Sequence, residues 1–417
     1  MEYTDTMCSP FHYMNLETFM PNTQHPDTLD EAEFIQRARA LIPALKERAA
    51  QAEQDRNLAP DTIRELQSLG LLKILQPRRY GGHEMNPRVF YEVQMALAEG
   101  CMSTAWVFGV LGVHPWQLAM FDPRAQEEVW GEDDDTLIGS TYMPVGKVTR
   151  VDGGFRLSGR WAFSSGCAHV DWIFLGAMVP SREAGGAPEY RTFLLPKADF
   201  QILDTWHTIG LKATGSNDIV VEDAFVPEYR THRTRDDTMA SRPGIELNNA
   251  PTYRLPFMQV FARAVSTACI GGLQGAINAF RQIASSQVSR NMLGRTADDP
   301  TAQLAVAEAT AAVDQLRLAL ARNMDTMMAY AEQQRAAPID DRVLYRYQSA
   351  QVPDVCAQQV SKLLKSCGGS GIYLTHPVQR YFLDIHCARA HVANNLDMVG
   401  RNYGGVLLGL DNKDTTV

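Results

Sequence analysis

Apolar positions along this chain change period twice. Residues 1–26 carry Pro, Asn, Thr and His without a period and read as a tail, or as an arm lying over a neighbour. Phe34, Ala38, Leu41 and Leu45 then recur at helical spacing. Asp27 or Thr28 is placed to cap that helix, whose first turn would hold Asp30, Glu31 and Glu33. Further helices are predicted over residues 61–69, between Pro60 and Gly70, and over residues 87–98, after the Gly81-Gly82 loop. Residues 100–120 are apolar and rich in small side chains, the pattern of a buried helix, with Pro115 expected to break its ladder.

Past the acidic run at 132–135 the period falls to two. Strands are predicted at 137–142, 147–151, 155–158, 191–195 and 218–226, with a hairpin signal at Asp152-Gly153-Gly154. Strands this closely spaced suggest a small antiparallel barrel or sandwich. From Leu255 the helical period returns over 262–284, 301–330, 342–366 and 381–399. Long helices of alternating direction would form an antiparallel four-helix bundle. The expected fold is α+β: a tail at 1–26, a helical domain at 27–136, a central β domain at 137–234 and a helical bundle at 235–417.

Composition narrows the function. A net charge of −9 without clustered Lys and Arg argues against a nucleic-acid partner. No apolar run reaches the length of a membrane span and the N-terminus lacks a secretory pattern, so a cytoplasmic protein is expected. Seven cysteines, an odd number without CxxC spacing, suggest neither a disulfide framework nor a thiolate metal site. His386 and His391 are five apart and do not share a helix face, so no metal is assigned. Gly271, Gly272 and Gly275 do not follow a strand as a dinucleotide fingerprint would.

The most informative stretch is Gly159-Arg-Trp-Ala-Phe-Ser-Ser-Gly166, followed by Cys167 and an apolar run to Leu175. Two strand-like segments flank a Ser-Ser-Gly corner, and strict alternation would put Trp161, Phe163 and Ser165 on one face with Ala162 and Ser164 on the other. An aromatic beside a hydroxyl suits a flat heteroaromatic ring. Taken alone, the residues describe an ordinary sheet corner more readily than a ligand site.

The order Gly159-x-x-x-Phe163-x-Ser165 resembles the flavin-contacting strand of the acyl-CoA dehydrogenase superfamily. The fuller string resembles one branch of it: the oxygenase components of two-component, reduced-flavin-dependent monooxygenases that hydroxylate phenols and related aromatics. A second string, from Trp206 to Pro227, supports the resemblance, which extends over residues 30–408. It implies an acyl-CoA dehydrogenase-like fold, reduced flavin (FMNH2 or FADH2) and O2 as reactants by way of a C4a-hydroperoxyflavin, and a separate NAD(P)H:flavin reductase as partner. A homotetramer, a dimer of dimers, is implied as well.

The resemblance also implies roles. Trp161, Phe163, Ser164 and Ser165 would hold the flavin ring, with Ser165 at its N5 edge, and Ser140 would face flavin and substrate. Arg290, in a loop resembling the superfamily's Arg-x-x-Phe-Gly, and Gly368 and Gly369, in a Gly-Gly-x-Gly turn, would reach the cofactor's phosphate end across a subunit interface. His114 on the buried helix would contact a substrate hydroxyl, and His391 on the last helix resembles the C-terminal active-site His of this branch. Histidine suits both places, because its pKa lets it take a proton from a phenol or indole-type N–H near neutrality. Without the resemblance, His114 reads as a hydrogen-bonded core residue, and His391 reads as readily as a surface residue as a site one. Other readings are an N- or S-oxygenase of the same branch, an acyl-CoA dehydrogenase, and a catalytically silent helical scaffold.

Overall fold

A computed structural model describes residues 30–183, 185–233, 242–286, 288–289, 294–414 and 417; the predicted tail and Arg290 lie outside the described residues. The N-terminal layer is built from α1 (Glu31–Ala40), α2 (Ile42–Asp55), α3 (Pro60–Ser68), α4 (Pro87–Gly100), α5 (Met102–Leu118) and α6 (Pro123–Trp130). Asp30 itself caps α1, its carboxylate accepting from the Ala32 N–H at 3.2 Å, rather than lying in the first turn. Phe34, Ala38, Leu41 and Leu45 share a buried face as their spacing predicts, although Leu41 separates two helices. Helix α5 is buried along its whole length and continues through Pro115, where the expected break does not occur. Burial on every side outweighs the single backbone bond that the proline forfeits.

The sheet contains β1 (Ile138–Val151), β2 (Gly154–Ser164), β3 (Trp172–Val179), β4 (Glu189–Pro196), β5 (Gln201–Leu203), β6 (Asn217–Pro227) and β7 (Thr231–His232), in the order β5-β6-β2-β1-β3-β4-β7. Two expectations are corrected. The segments at 137–142 and 147–151 form one long strand, and β1 runs parallel to β3 while its other pairing is antiparallel. The first half of β1 pairs with β3 and the second half with β2, across an irregularity between Thr141 and Gly146. β1 thus bends from one half-sheet into the other, and β5 and β7 remain edges, so the barrel is not closed.

The C-terminal layer comprises α7 (Phe257–Ala264), α8 (Ala268–Ser286), α9 (Pro300–Glu332), α10 (Ile339–Ser366), α11 (Pro377–Arg389) and α12 (Leu396–Leu407). The stretch predicted as one helix at 262–284 is split after Ala264, and that at 381–399 after Arg389. Helices α8, α9, α10 and α11 pack on one another, and α8 lies against α4. By composition residues Phe257–Ser285 could cross a bilayer, against the sequence expectation, but their most apolar window is 94% buried inside the protein. Helix α5 touches β1 on one side and α4, α7 and α8 on the others, so all three layers meet along it.

Candidate active site

Strand β2 ends in a bulge where α5 crosses the sheet. Trp161 pairs with Ile219 of β6 and the next paired residue is Ser164, opposite Asn217, so β2 takes three steps where β6 takes two. The extra residue is absorbed at Phe163, whose φ of 66° lies in the left-handed region. The expected alternation is thereby overturned: Trp161 and Ser164 both turn inward and are fully buried, while Phe163 turns outward with 64% of its surface exposed. Trp161 is corrected as a cofactor contact, because its indole N–H donates to the Gly176 carbonyl at 2.9 Å and its ring has no exposed surface. Phe163 keeps an open aromatic face, with Trp206 edge-on at 6.2 Å.

Ser165 sits behind that ring at the head of a line of buried hydroxyls. Its Oγ accepts from Trp106 Nε1 of α5 at 3.1 Å and lies 2.7 Å from Ser216 Oγ. Ser216 Oγ lies 2.6 Å from Thr214 Oγ1, which donates to the Leu211 carbonyl at 2.9 Å. The loop carrying them is tied from several sides. Trp206 Nε1 also donates to the Leu211 carbonyl at 2.9 Å, and the Leu211 N–H donates to Asp384 Oδ1 of α11 at 2.6 Å. Gly166 donates to the Thr214 carbonyl at 2.8 Å with a φ of 70°, and a Cβ there would come within 2.9 Å of Val107.

The two histidines carry complementary protons. His114, fully buried on α5, has Nδ1 2.6 Å from the Ile138 carbonyl of β1. A carbonyl only accepts, so the proton is on Nδ1 and Nε2 presents a lone pair. That Nε2 is buried and has no hydrogen-bond partner among the described residues. Burial holds the imidazole down to about 4, against which the Ile138 contact acts only in part, so the ring is neutral at ordinary pH. His391 is corrected from a helical position: it stands in the break between α11 and α12 and caps the turn Val392–Asn394, its Nδ1 accepting from the Ala393 N–H at 3.1 Å. Its proton is therefore on Nε2, a donor. Burial and nearby Arg346 push this imidazole down to about 4 as well.

Aromatic rings join these groups into one perimeter. His114 lies 6.2 Å from Tyr142 and 5.6 Å from Phe174, both edge-on. Tyr142 lies 4.8 Å from Phe261, Phe261 lies 6.5 Å from His391, and His391 lies edge-on to Trp106 at 5.8 Å. Trp106 ends the series at Ser165. Ser140 is on the Tyr142 face of β1, and the Tyr142 hydroxyl donates to Gln117. Burial raises that phenol well above its ordinary pKa, so it stays protonated.

Of the residues singled out in the sequence, Ser140, Phe163, Ser164, Ser165, His114 and His391 thus come to this junction. Gly368 and Gly369 do not: they open the turn Gly368–Ile372 after α10, Gly368 with a φ of 62°, and nothing lies within 4 Å of a Cβ added at either. Sequence reasoning missed Trp106, Tyr142, Phe261 and Ser216 as parts of this junction. Phe257 and Phe261 stand four apart, one turn of helix, which is the signal that an aromatic wall leaves in sequence. The acidic run is engaged elsewhere, with Lys73 Nζ 2.6 Å from Asp134 and 2.8 Å from Asp135.

Residues 264–396 match the acyl-CoA dehydrogenase C-terminal domain, and residues 28–132 the acyl-CoA dehydrogenase N-terminal domain. Over 384 residues the chain is 36% identical to the oxygenase subunit HsaA of a flavin-dependent monooxygenase from Rhodococcus jostii (strain RHA1), covering 92% of this chain and 100% of that protein. It is 33% identical over 399 residues to the oxygenase component of an FADH2-dependent resorcinol hydroxylase from Rhizobium sp. (strain MTP-10005), covering 94% of this chain and 97% of that one. The crystal structure of the 3-HSA hydroxylase from Rhodococcus sp. RHA1 matches with a TM-score of 0.87 at 35% identity, over 92% of this chain and 99% of that one.

Proposed function

The chain belongs to the acyl-CoA dehydrogenase superfamily, among the oxygenase subunits of flavin-dependent monooxygenases, and on that premise we propose that His114 is the base with which it hydroxylates a phenol- or indole-type ring. It is an enzyme that uses reduced flavin and O2 on an aromatic substrate. The single observation that carries the assignment is His114 Nε2, a buried lone pair without a partner, on a neutral ring fixed by the backbone and walled by Tyr142 and Phe174.

The residues present fit the cofactor. Phe163 is an aromatic ring held exposed by a backbone conformation that costs on the order of 1 kcal/mol, a combination that a flat ligand explains. Phe163 and Ser165 would bind the isoalloxazine, with the inward-turned Ser164 able to offer only its backbone, Ser140 would lie at the border with the substrate, and Arg290, Gly368 and Gly369 would serve the phosphate end. Reduced flavin, when bound, supplies the electron pair with which O2 is activated. The protein's own groups do the rest. His114 Nε2 accepts the substrate's acidic proton, which raises electron density on the ring carbon to be oxidised. His391 Nε2–H donates a hydrogen bond from the opposite wall, and Trp106, Tyr142, Phe174 and Phe261 keep water out.

A separate NAD(P)H:flavin reductase supplies the reduced flavin. We further assign a cytoplasmic homotetramer, a dimer of dimers, in which α8, α9, α10 and α11 form an antiparallel bundle and the divisions fall near residues 27, 137 and 235. The test is to mix the protein with anaerobically reduced FMN or FADH2, then oxygen and a phenol. Expected are an absorbance transient distinct from free flavin and a hydroxylated product; decay indistinguishable from free flavin would reject the reading.

A further inference from the structure

The hydroxyls behind Ser165 have a direction. We propose that this direction makes the site distinguish reduced from oxidised flavin, with Thr214 and Ser216 as positioning residues, given the reading above that Ser165 meets the N5 edge of the ring. The direction follows from counting donors. The Leu211 carbonyl can only accept, so Thr214 donates to it. That proton is then committed, so Ser216 donates to Thr214 and Ser165 donates to Ser216. The Trp106 N–H can only donate, and it fills one lone pair of Ser165. Ser165 is left with a single lone pair for the site and no proton.

N5 of a reduced isoalloxazine carries a hydrogen, whereas N5 of the oxidised ring carries a lone pair. Ser165 in this arrangement accepts from the first and faces the second lone pair to lone pair. To donate to oxidised N5, the whole line must reverse: Thr214 releases the Leu211 carbonyl and donates to Ser216, Ser216 donates to Ser165, and Ser165 donates outward. The carbonyl would still hold Trp206 Nε1 at 2.9 Å, so reversal forfeits one hydrogen bond and strands no buried group. One net hydrogen bond corresponds to a preference of roughly tenfold.

This predicts opposite effects from two nearby substitutions. Thr214→Val removes the anchor, frees the line to reverse and should lower the ratio of oxidised to reduced dissociation constants roughly tenfold, mainly by tightening oxidised flavin. Trp206→Phe keeps an aromatic beside Phe163 but leaves the carbonyl, once the Thr214 hydroxyl turns away, with the Thr214 N–H at 3.2 Å in place of two donors, so reversal becomes costlier and the ratio should rise, by less than about tenfold. Both are read by anaerobic titration of the full chain with photoreduced FMN and with oxidised FMN. A ratio unchanged in both variants, or moving the same way in both, would overturn the proposal, because damage to packing weakens the two redox forms alike. If the parent protein bound neither form, the flavin reading itself would fall.

Discussion

At His114 a single backbone carbonyl decides which nitrogen can act as a base. In the role proposed for His114 the neutral ring is the active form, and because burial holds its pKa near 4, such a base would remain competent far below the pH at which a free imidazole is protonated. Hydroxylation measured by rapid mixing should therefore keep its rate to about pH 5 and fall only as pH approaches 4; an acid limb near the free-imidazole value would mean that another group takes the proton. His114→Ala should lower product per reduced flavin on the order of 100-fold, the balance appearing as hydrogen peroxide, with reduced-flavin affinity nearly unchanged. Phe163 permits a different kind of prediction, since its ring is mostly exposed and its backbone is strained. Phe163→Gly should leave the melting temperature level or raise it, by relieving about 1 kcal/mol of strain, while weakening flavin binding about tenfold. A melt and a flavin titration check both halves, and undiminished affinity would reduce Phe163 to a surface ring. Residue order singles out His114 and Ser165, whose roles remain proposals; the exchange of Trp161 and Phe163 is not legible there, because the bulge depends on pairing with β6, far along the chain.

Elements were legible where one period persisted and misread where tertiary contacts interrupted it. The buried helix α5 follows from its composition, but its continuation through Pro115 does not, since only the finished packing holds that turn. His391 was read onto a helix because apolar spacing runs on past it, whereas its side chain caps a turn and ends the helical ladder locally. Asp384 on α11 fixes the loop of Leu211, Thr214 and Ser216 through the Leu211 N–H, a contact between segments far apart in the chain. Burial raises its carboxyl from 3.8 to about 7, an effect that Arg380 and Lys212 offset only in part. Its folded pKa exceeds its unfolded one, so the folded state binds the proton more tightly and stability declines as pH rises from about 4 to about 7. Asp384→Asn keeps an acceptor for Leu211 and removes that slope. Denaturation at several pH values should find the variant more stable than the parent at pH 8, with the difference vanishing towards pH 4; a difference independent of pH would place the titration elsewhere.

Across the whole molecule, the groups proposed for catalysis come together from one chain, while the glycine turn after α10 lies outside their junction. That turn runs directly into Ile372, Tyr373 and Leu374, which are 77%, 67% and 75% exposed, and the chain past α12 exposes Leu407, Leu408 and Leu410 at 68%, 85% and 61%. Apolar side chains this exposed gain about 1.5–3 kcal/mol each when fully covered, which is ample to hold subunits together. If copies of the chain cover them, Gly368 and Gly369 are carried to the same interface, and assembly and binding of the cofactor's phosphate end become one event. Flavin affinity should then depend on subunit concentration. Leu374→Asp and Leu408→Asp should each lower the mass measured by light scattering, and Leu374→Asp, the closer to the glycines, should also weaken reduced flavin at concentrations where the parent stays assembled. A variant that retains the parent's mass and affinity would show that these side chains face water in the working enzyme, and that the phosphate end is held within a single chain.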